Sequence, residues 1–173
     1  MPRMTASSDL VRAGLRHWPS GVTVVTTQLP AQPPIGLTVS SFNSVSLEPP
    51  LLLICVYKEA ELAKAILESQ VFGISILSHQ QAHLSVRFAG FDPKYPKGSD
   101  RFDDLSLRQL TSGVPLLADA LAAFDCRLWA QHDGSTHYIF VGEVLDVFST
   151  PDDGSTPPLV YYNRGYHDLV SQS

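Results

Sequence analysis

Small polar side chains cluster in one stretch of this chain, directly after a segment with the pattern of a β-strand. The hydroxyl and amide residues of this stretch are Ser40, Ser41, Asn43, Ser44 and Ser46. Pro49 and Pro50 follow, and because proline continues neither a helix nor a sheet ladder, residues 43–48 are predicted to form an irregular connector. Small side chains let a flat polar ligand approach backbone N–H and C=O groups closely, although the same composition also suits an ordinary polar loop.

Five further residues could do chemistry at the rim of a site. His137 begins a strand directly after a turn, and an Asn-Arg-Gly-Tyr segment brings Arg164 and Tyr166 to the end of the last strand. Lys58 and Arg87 are each the first cation after an apolar segment, where either could bind a phosphate. The alternatives are an exposed strand-end histidine, a core tyrosine and two solvated cations. The residue types alone leave both interpretations open.

Several catalytic and metal-binding patterns are absent from the sequence. It contains no GxGxxG, GxxxxGKS/T, GxSxG or HExxH, so Rossmann, P-loop, hydrolase and zincin functions have no support. His79 and His83 have metal-ligand spacing on a predicted helix, but no third ligand lies nearby, and we predict no metal site. Cys55 and Cys126 lie in apolar segments without a CxxC pattern and are predicted to be buried thiols.

Length and net charge limit the number of domains and the classes of partner that this chain can have. The 173 residues, 44% of them hydrophobic, are expected to form one domain over residues 1–173 with a single sizeable core. A net charge of -5 without clustered Lys and Arg argues against nucleic-acid or anionic-membrane partners. The N-terminal residues lack the apolar core of a signal peptide, and the longest apolar run, 51–57, is too short to span a bilayer. A cytoplasmic protein is therefore expected.

The hydrophobic pattern predicts mostly β-structure. A helix over residues 8–18 precedes two strands, 22–28 and 36–42, which are expected to pair as a hairpin. Residues 51–57 form a continuous apolar run, predicted to be a strand buried on both faces. A helix over 59–68 and a strand over 71–77 complete one strand-helix-strand excursion.

The second half of the chain contains a long aperiodic segment and a long hairpin. Ser78 and Gln81 have capping-box spacing and open a short helix that ends near residue 88. Residues 89–108 then lose all periodicity, as expected of a lid or a subunit contact. Alternating residues on both sides of an Asp-Gly-Ser-Thr turn predict a hairpin, and a short strand follows at 159–162. About seven strands, mostly in hairpins, predict a mainly β fold: a closed or split antiparallel barrel with peripheral helices.

Taken together and in order, these motifs resemble the short-chain flavin reductases, which have an FMN-binding split β-barrel and include the reductase components of two-component flavin-dependent monooxygenases. The resemblance spans nearly the whole chain. It rests on residues 18–27 (WPSGVTVVTT), 36–51 (GLTVSSFNSVSLEPPL), 87–89 (RFA) with 101–102 (RF), 137–144 (HYIFVGEV) and 158–166 (PLVYYNRGY). Segment 36–51 is the most specific of these.

The resemblance implies a set of binding residues. The flavin ring and ribityl chain would lie against Thr38, Val39, Ser40, Ser41, Phe42, Asn43, Ser44, Val45 and Ser46. Lys58, Arg87, Phe88 and Ala89 would lie toward the phosphate. His137 would lie near the nicotinamide, with Arg164 and Tyr166 close by. This chain has Ser-Thr-His at 135–137, where many relatives have Gly-Asp-His, so the acidic neighbour of the histidine is missing.

The implied activity is the reduction of FMN or FAD by NADH or NADPH, with hydride passing from nicotinamide C4 to flavin N5. The reduced flavin would be supplied to a separate flavin-dependent monooxygenase. Two alternatives use the same fold: a flavin-binding protein without nicotinamide turnover, and a flavin-dependent oxidase of a small organic substrate. A split barrel of this size leaves much of a flavin uncovered, so a homodimer closed by the aromatic residues of segment 88–102 is also expected.

Overall fold

The computed structural model describes residues 5–151 and 156–169 of the chain. Its helices are α1 (Ser8–Leu15), α2 (Glu61–Ser69) and α3 (Ala82–Phe88), and a short 3-10 helix, His79–Gln81, precedes α3. Its strands are β1 (Ser20–Gly21), β2 (Thr23–Thr27), β3 (Ile35–Val39), β4 (Asn43–Leu47), β5 (Pro50–Tyr57), β6 (Val71–Ile76), β7 (Leu107–Arg108), β8 (Leu116–Leu117), β9 (Ala122–Gly134), β10 (His137–Ser149), β11 (Val160–Tyr162) and β12 (Gly165–His167). The fold is mainly β with a few helices, as the sequence predicted.

One antiparallel sheet of seven strands organises the molecule, in the order β3-β2-β6-β9-β10-β5-β4. The predicted β2–β3 hairpin is confirmed, and so is the long β9–β10 hairpin, whose turn residues are Ser135 and Thr136. β5 and β6 flank the α2 excursion in the chain, but β9 and β10 separate them in the sheet. A smaller sheet, β1-β11-β12, lies beside the large one and carries the C-terminal turn. The edges of the large sheet are therefore β3 and β4.

The core lies between the large sheet and the helices packed on it. Ile54, Phe72 and Phe140 are fully buried on the sheet and belong to one cluster with Leu62 and Ile66 of α2. These α2 residues follow helical spacing, which places them on one buried face as the sequence predicted. A second cluster joins residues before, within and after α3, among them Leu77, Leu84, Phe88, Phe102 and Leu159. This cluster also contains Val24 of β2, so it packs α3 against the large sheet.

Residues 43–48 correct one prediction, because they are not an irregular connector: β4 pairs with β5, with a shift in register between Ser44 and Ser46. Glu48 and Pro49 form the tight turn, and Pro50 is the first residue of β5, opposite Leu47. Proline is tolerated at the first position of a strand and on sheet edges, since it lacks only one N–H group. The two prolines thus define a hairpin turn, and β4 is free to form the edge.

The strand at 51–57 corrects a second prediction, since it is not fully buried on both faces. Leu52, Ile54 and Val56 are buried, whereas the residues that alternate with them, such as Leu53 and Cys55, are only half-buried. Leu62 and Ile66 of α2 belong to the same cluster as the buried set. The half-buried face of β5 is apolar without being enclosed by this chain.

The region around α3 confirms the predicted capping box. The Ser78 N–H donates to Gln81 Oε1 over 2.9 Å, and the reciprocal bond is also present. The following segment, up to residue 106, has no regular secondary structure, and two of its aromatic side chains, Tyr95 and Phe102, are buried in this chain.

Within the described residues, no helix has the length and apolar character that a membrane span requires.

Candidate functional site

A cavity of about 330 Å³ lies between β3, α3 and the β11–β12 turn, and we call it the Thr38 cavity. It is lined by Val22, Thr38, Ser40, Ser85, Val86, Ala89, Phe91, Tyr161, Arg164 and Tyr166. Five residues predicted from the sequence therefore meet here: Thr38, Ser40, Ala89, Arg164 and Tyr166. The volume is in the range of small-molecule sites, roughly 300–1,000 Å³. The lining combines hydroxyl groups with aromatic rings, as a flat polar ligand requires.

Ser85 of α3 connects the walls of the Thr38 cavity. The Tyr166 hydroxyl donates to Ser85 Oγ over 2.8 Å, and the Thr38 hydroxyl donates to the Ser85 carbonyl oxygen over 2.7 Å. Ser85 itself is buried, so both bonds are partly shielded from bulk water. The three residues hold β3, α3 and β12 at fixed distances around the cavity.

The turn between β11 and β12 presents Arg164 to the cavity through an uncommon backbone conformation. Asn163 has φ 47° and Arg164 has φ 68°, so both central residues of this two-residue hairpin are left-handed. A type I′ turn requires this geometry, which asparagine adopts easily and arginine adopts rarely. Residues in sparsely populated backbone regions cluster at functional sites. The geometry makes Arg164 a strong candidate for ligand contact.

The other residues of the predicted flavin stretch follow Ser40 along the chain and continue into β4. Ser41 Oγ accepts from the Cys55 N–H over 2.9 Å and donates to the Cys55 carbonyl over 3.0 Å, so its hydroxyl is used within the fold. Phe42 packs on Phe124, with ring centres 5.8 Å apart. Along β4 the side chains are exposed at Asn43, Ser44 and Val45 and half-buried at Ser46. Because β4 is an edge strand, one side of its backbone is available to a ligand.

His137 and Lys58 lie together at the end of the β9–β10 hairpin and do not line the Thr38 cavity. The His137 ring stands edge-on to Tyr57 at 5.6 Å, and its Nδ1 is 2.9 Å from the Thr136 hydroxyl. Lys58 Nζ is 2.5 Å from an Asp133 carboxylate oxygen. The hydrogen bond from Lys58 holds the pKa of Asp133 below its usual range, with help from the Ser135 N–H.

Arg87 faces away from solvent and is held by its own chain. Its side chain is 5% exposed, and its guanidinium lies 3.0 Å from the Asp104 carboxylate and 3.6 Å from the centre of the Tyr95 ring. It also donates to the Asp103 carbonyl. The next residue, Phe88, is buried against Phe102. Of the predicted segment 87–89, only Ala89 lines the cavity.

In the part of the chain that the structure describes, the other reactive side chains form no second candidate centre. Burial, and secondarily the charge of Asp125, raises the pKa of the Cys126 thiol to about 12, which leaves it protonated and unreactive. Over residues 5–151 and 156–169, no three His, Cys, Asp or Glu side chains are grouped as metal ligands. His79 is near Asp168, at 3.7 Å.

Comparison with known proteins gives the family. The sequence model of the flavin reductase like domain matches residues 15–170. The chain belongs to the flavin reductase-like family. The match covers both walls of the Thr38 cavity, from β2 to β12.

Three members of this flavin reductase-like family illustrate the similarity. The FMN reductase (NADH) SmoA of Agrobacterium fabrum is 43% identical over 139 residues, which are 80% of this chain and 75% of that protein. The reductase subunit HsaB of a flavin-dependent monooxygenase from Rhodococcus jostii is 32% identical over 155 residues, which are 90% of this chain and 74% of that protein. The structure of the NADH:FAD oxidoreductase SgcE6 of Streptomyces globisporus superposes with a TM-score of 0.83 at 29% identity. The superposition covers 100% of this chain and 95% of the SgcE6 chain.

Five lining residues of this flavin reductase-like protein were not predicted as site residues from the sequence: Val22, Ser85, Val86, Phe91 and Tyr161. Ser85 lies in a helix without any motif, and its role depends on partners 47 and 81 residues away. Tyr161 packs edge-on against Tyr166 at 5.6 Å. The pattern that could have indicated Tyr161 is the strand period, since Tyr161 is directly paired with Tyr166 across the β11–β12 hairpin.

Proposed function

We propose that this flavin reductase-like protein transfers hydride from NADH to FMN or FAD, and that the reduced flavin passes to a separate flavin-dependent monooxygenase. The observation that carries the proposal is the Thr38 cavity, in which the family's polar segment meets the C-terminal turn. SmoA and SgcE6 are named as NADH-dependent reductases of FMN and FAD, and HsaB as a reductase subunit, which supports the same activity here.

The residues present fit a flavin. A flavin has a flat apolar ring with polar edges, and the cavity offers aromatic walls, small hydroxyl residues and the free backbone of an edge strand. We assign the ring and ribityl contacts to the stretch from Thr38 to Ser46, through its backbone groups more than its side chains. The bound flavin supplies the redox chemistry, because it accepts hydride from a reduced nicotinamide.

The protein's own part in the reaction is to bind and orient the two reactants. Arg164 and Tyr166 face the Thr38 cavity, and we assign them to the nicotinamide side of the site together with His137. Hydride transfer needs close approach and alignment and requires no side chain to act as acid or base. The Tyr166–Ser85 hydrogen bond fixes one of these contact residues.

Lys58 and Arg87 differ as phosphate ligands. The Asp133 partner of Lys58 is largely exposed, and an exposed ion pair contributes little, so Lys58 can exchange Asp133 for a phosphate at low cost. The Arg87 side chain is buried against Tyr95, although its partner Asp104 is exposed, and taking a carboxylate partner away from a buried cation is unfavourable. We therefore assign Lys58 to direct contact with the phosphate and Arg87 to holding the segment after α3 in place.

We also infer that the sheet curls into a split barrel. β3 and β4 are opposite edges of the sheet, yet only residues 40–42 join them, so the two edges meet at this corner. The Ser41–Cys55 hydrogen bonds tie this corner to β5. The curvature would bring the flavin stretch to the rim of the barrel.

We propose a homodimer as the assembly. α1 buries none of its residues, although Leu10 and Leu15 of α1 and the nearby Trp18 are 69%, 64% and 74% exposed. An eight-residue helix is not stable in water without packing, so this apolar face needs a partner surface. Segment 88–102 has fewer exposed aromatic side chains for a contact between subunits than the sequence predicted, because Phe88, Tyr95 and Phe102 are buried in this chain. α1 is therefore our preferred contact between subunits.

Steady-state oxidation of NADH with added FMN or FAD tests the proposed activity. We expect flavin-dependent NADH consumption by the purified chain, with NADPH assayed in parallel as the competing donor. Flavin binding without consumption of either nucleotide would contradict the proposal and favour a flavin carrier. Consumption that needs a further organic substrate would favour an oxidase.

A further inference from the structure

The turn of the β9–β10 hairpin holds Thr136 in a fixed position. The Lys58 N–H donates to the Thr136 carbonyl over 3.0 Å, which joins the turn to the end of β5. Ser135 has φ 66°, and its N–H donates to Asp133 Oδ1 over 2.9 Å. The same carboxylate oxygen is 2.5 Å from Lys58 Nζ. The backbone of the turn is therefore anchored at two points, and with it the base of the Thr136 side chain.

The Thr136 side chain contacts the imidazole of His137, the next residue. Its hydroxyl oxygen lies 2.9 Å from Nδ1 and can donate or accept, according to the imidazole tautomer. In the part of the chain that the structure describes, this hydroxyl is the only hydrogen-bond partner of the ring. Tyr57 stands edge-on to the ring at 5.6 Å. A half-turn of the imidazole would exchange Nδ1 for a carbon atom and lose the hydrogen bond.

The charged groups of the hairpin lie on the opposite face of the sheet. Asp133 is paired with Tyr138, and Lys58 Nζ lies over the Tyr138 ring at 5.2 Å. Successive residues of a strand point to opposite faces, so His137, the neighbour of Tyr138, points away from this pair. The ion pair between Lys58 and Asp133 therefore does not hold the imidazole, and the Thr136 hydroxyl does.

The exposure of His137 makes this restraint important for a ligand. An exposed side chain without a partner exchanges rapidly between rotamers, and His137 is exposed. Ordering a side chain at the moment of binding reduces affinity, whereas a side chain already held in the free protein avoids that loss. One hydrogen bond of this kind changes such an equilibrium by about two- to tenfold. The effect of the Thr136 contact is therefore large enough to measure.

We propose that Thr136 is a positioning residue for hydride transfer and acts through His137: its hydroxyl fixes the imidazole at Nδ1 and leaves Nε2 for the carboxamide of the nicotinamide. The proposal rests on the proposed function, in which His137 lies on the nicotinamide side of the site. A carboxamide offers both a carbonyl acceptor and an N–H donor, so it can bind Nε2 in either tautomer. Thr136 carries no charge, and its contribution is the orientation of the ring.

Nitrogen NMR of the flavin-free protein tests the contact without requiring turnover. With isotope-labelled histidine at alkaline pH, we expect Thr136→Val to shift the His137 Nδ1 resonance, because valine replaces the hydroxyl with a methyl group. Thr136→Ser should keep the wild-type resonance, because it keeps the hydroxyl. Thr111→Val is the matched control, since the Thr111 hydroxyl is also exposed but donates to Asp146 over 3.2 Å. An Nδ1 resonance that is the same in wild type and Thr136→Val overturns the proposal.

A double-mutant cycle tests whether Thr136 acts through His137. We expect Thr136→Val to lower kcat/KM for NADH about two- to tenfold at unchanged flavin affinity, and Thr136→Ser to retain most of the wild-type value. In the His137→Ala background, Thr136→Val should have no further effect. An equal loss in both backgrounds would mean that Thr136 acts independently of His137, which overturns the proposal.

Two further outcomes separate this proposal from the proposed function. If the chain reduces flavin with NADH and Thr136→Val is as active as wild type, the proposed function stands and the positioning role is wrong. If Thr136→Val shifts the His137 resonance but the wild-type chain oxidises no NADH, the result supports the hold of Thr136 on the imidazole and contradicts the proposed function.

Discussion

Ser85 is the residue on which the geometry of the Thr38 cavity depends most directly. It accepts from Tyr166 through its side chain and from Thr38 through its carbonyl, and it is buried. Each such bond contributes about 1 kcal/mol net to stability, but a buried donor left without its partner costs more. The cavity lining is therefore held in place before any ligand binds, which reduces the ordering that binding requires.

Ser40 offers a direct test of the flavin assignment at the residue scale. It lines the Thr38 cavity and is exposed, so Ser40→Trp should fill the cavity without disturbing the core. We expect this variant to lose flavin binding and flavin-dependent thermal stabilisation, measured by fluorescence titration and thermal unfolding. Ser106→Trp is the control, because Ser106 is also exposed but lines none of the cavities described above. Stoichiometric flavin binding by Ser40→Trp would refute the assignment.

His137 tests the nicotinamide assignment. Its ring contacts Tyr57 and Thr136 and lies outside the Thr38 cavity, so its loss should not disturb the flavin stretch. We expect His137→Ala to lower kcat/KM for NADH about tenfold, or roughly 1.4 kcal/mol of transition-state stabilisation, at nearly constant flavin affinity. His132→Ala is the matched control on the adjacent strand, where His132 is exposed opposite Ile139. Equal kcat/KM values for His137→Ala, His132→Ala and wild type would contradict the assignment of His137 to the nicotinamide side of the site.

At the scale of elements, the aperiodic segment after α3 is held by the Arg87 ion pair. Asp104 accepts from both terminal nitrogens of Arg87, at 3.0 and 3.1 Å, and from the Tyr95 hydroxyl at 3.1 Å. Tyr95 and Phe102 are buried beside this pair. A segment of this length without regular structure keeps one conformation because these contacts fix it at several points. The end of this segment faces the turn before β3 across a cleft.

The pH dependence of stability should report on this ion pair. The hydrogen bond from Arg87 lowers the pKa of Asp104, so the pair stabilises the fold above the unfolded pKa of about 4. This stabilisation is lost as the pH falls through the lower folded-state pKa. We expect Asp104→Asn to lower the melting temperature at neutral pH and to lose less stability than wild type on acidification. Asp103→Asn is the control; an identical pH profile for Asp104→Asn and wild type would contradict the role of the pair.

The sequence predicted those elements whose pattern is local. The β9–β10 hairpin has two alternating strands around an Asp-Gly-Ser-Thr segment, and the capping box needs only Ser78 and Gln81. The sequence pattern does not indicate β4, because Pro49 and Pro50 directly follow it; in the structure they occupy the turn and the first position of β5 and leave the residues before them free to pair. The Arg87–Asp104 pair could not be predicted, since its partners are 17 residues apart and one of them lies in an aperiodic segment. The same holds for Ser85, whose partners lie on β3 and β12.

At the scale of the whole molecule, exposed apolar residues are concentrated where this chain packs least against itself. The face of α1 is one such region, and the β4–β5–β10 part of the sheet is another, with Leu47 at 86% and Val147 at 48% exposed. A second copy of the chain could cover either region through a symmetric contact. The reductase would then bind its flavins next to an interface, away from bulk water.

Sedimentation velocity should show a dimer at micromolar concentration. We expect Trp18→Glu to shift the population toward monomer, because it places a charge in the apolar α1 contact. Trp129→Glu is the matched comparison on the sheet, where Trp129 is also exposed. A wild-type monomer would contradict the proposed assembly, and dissociation by Trp129→Glu alone would move the contact from α1 to the sheet.

Anaerobic rapid mixing of the flavin-loaded protein with NADH tests the central claim most directly. We expect the visible absorbance of the flavin to disappear in one fast phase, and NADH deuterated at the transferred position of C4 to slow that phase, as direct hydride transfer requires. Admission of oxygen should then restore the absorbance. If the flavin stays oxidised with both NADH and NADPH although it is bound, this protein is not a flavin reductase.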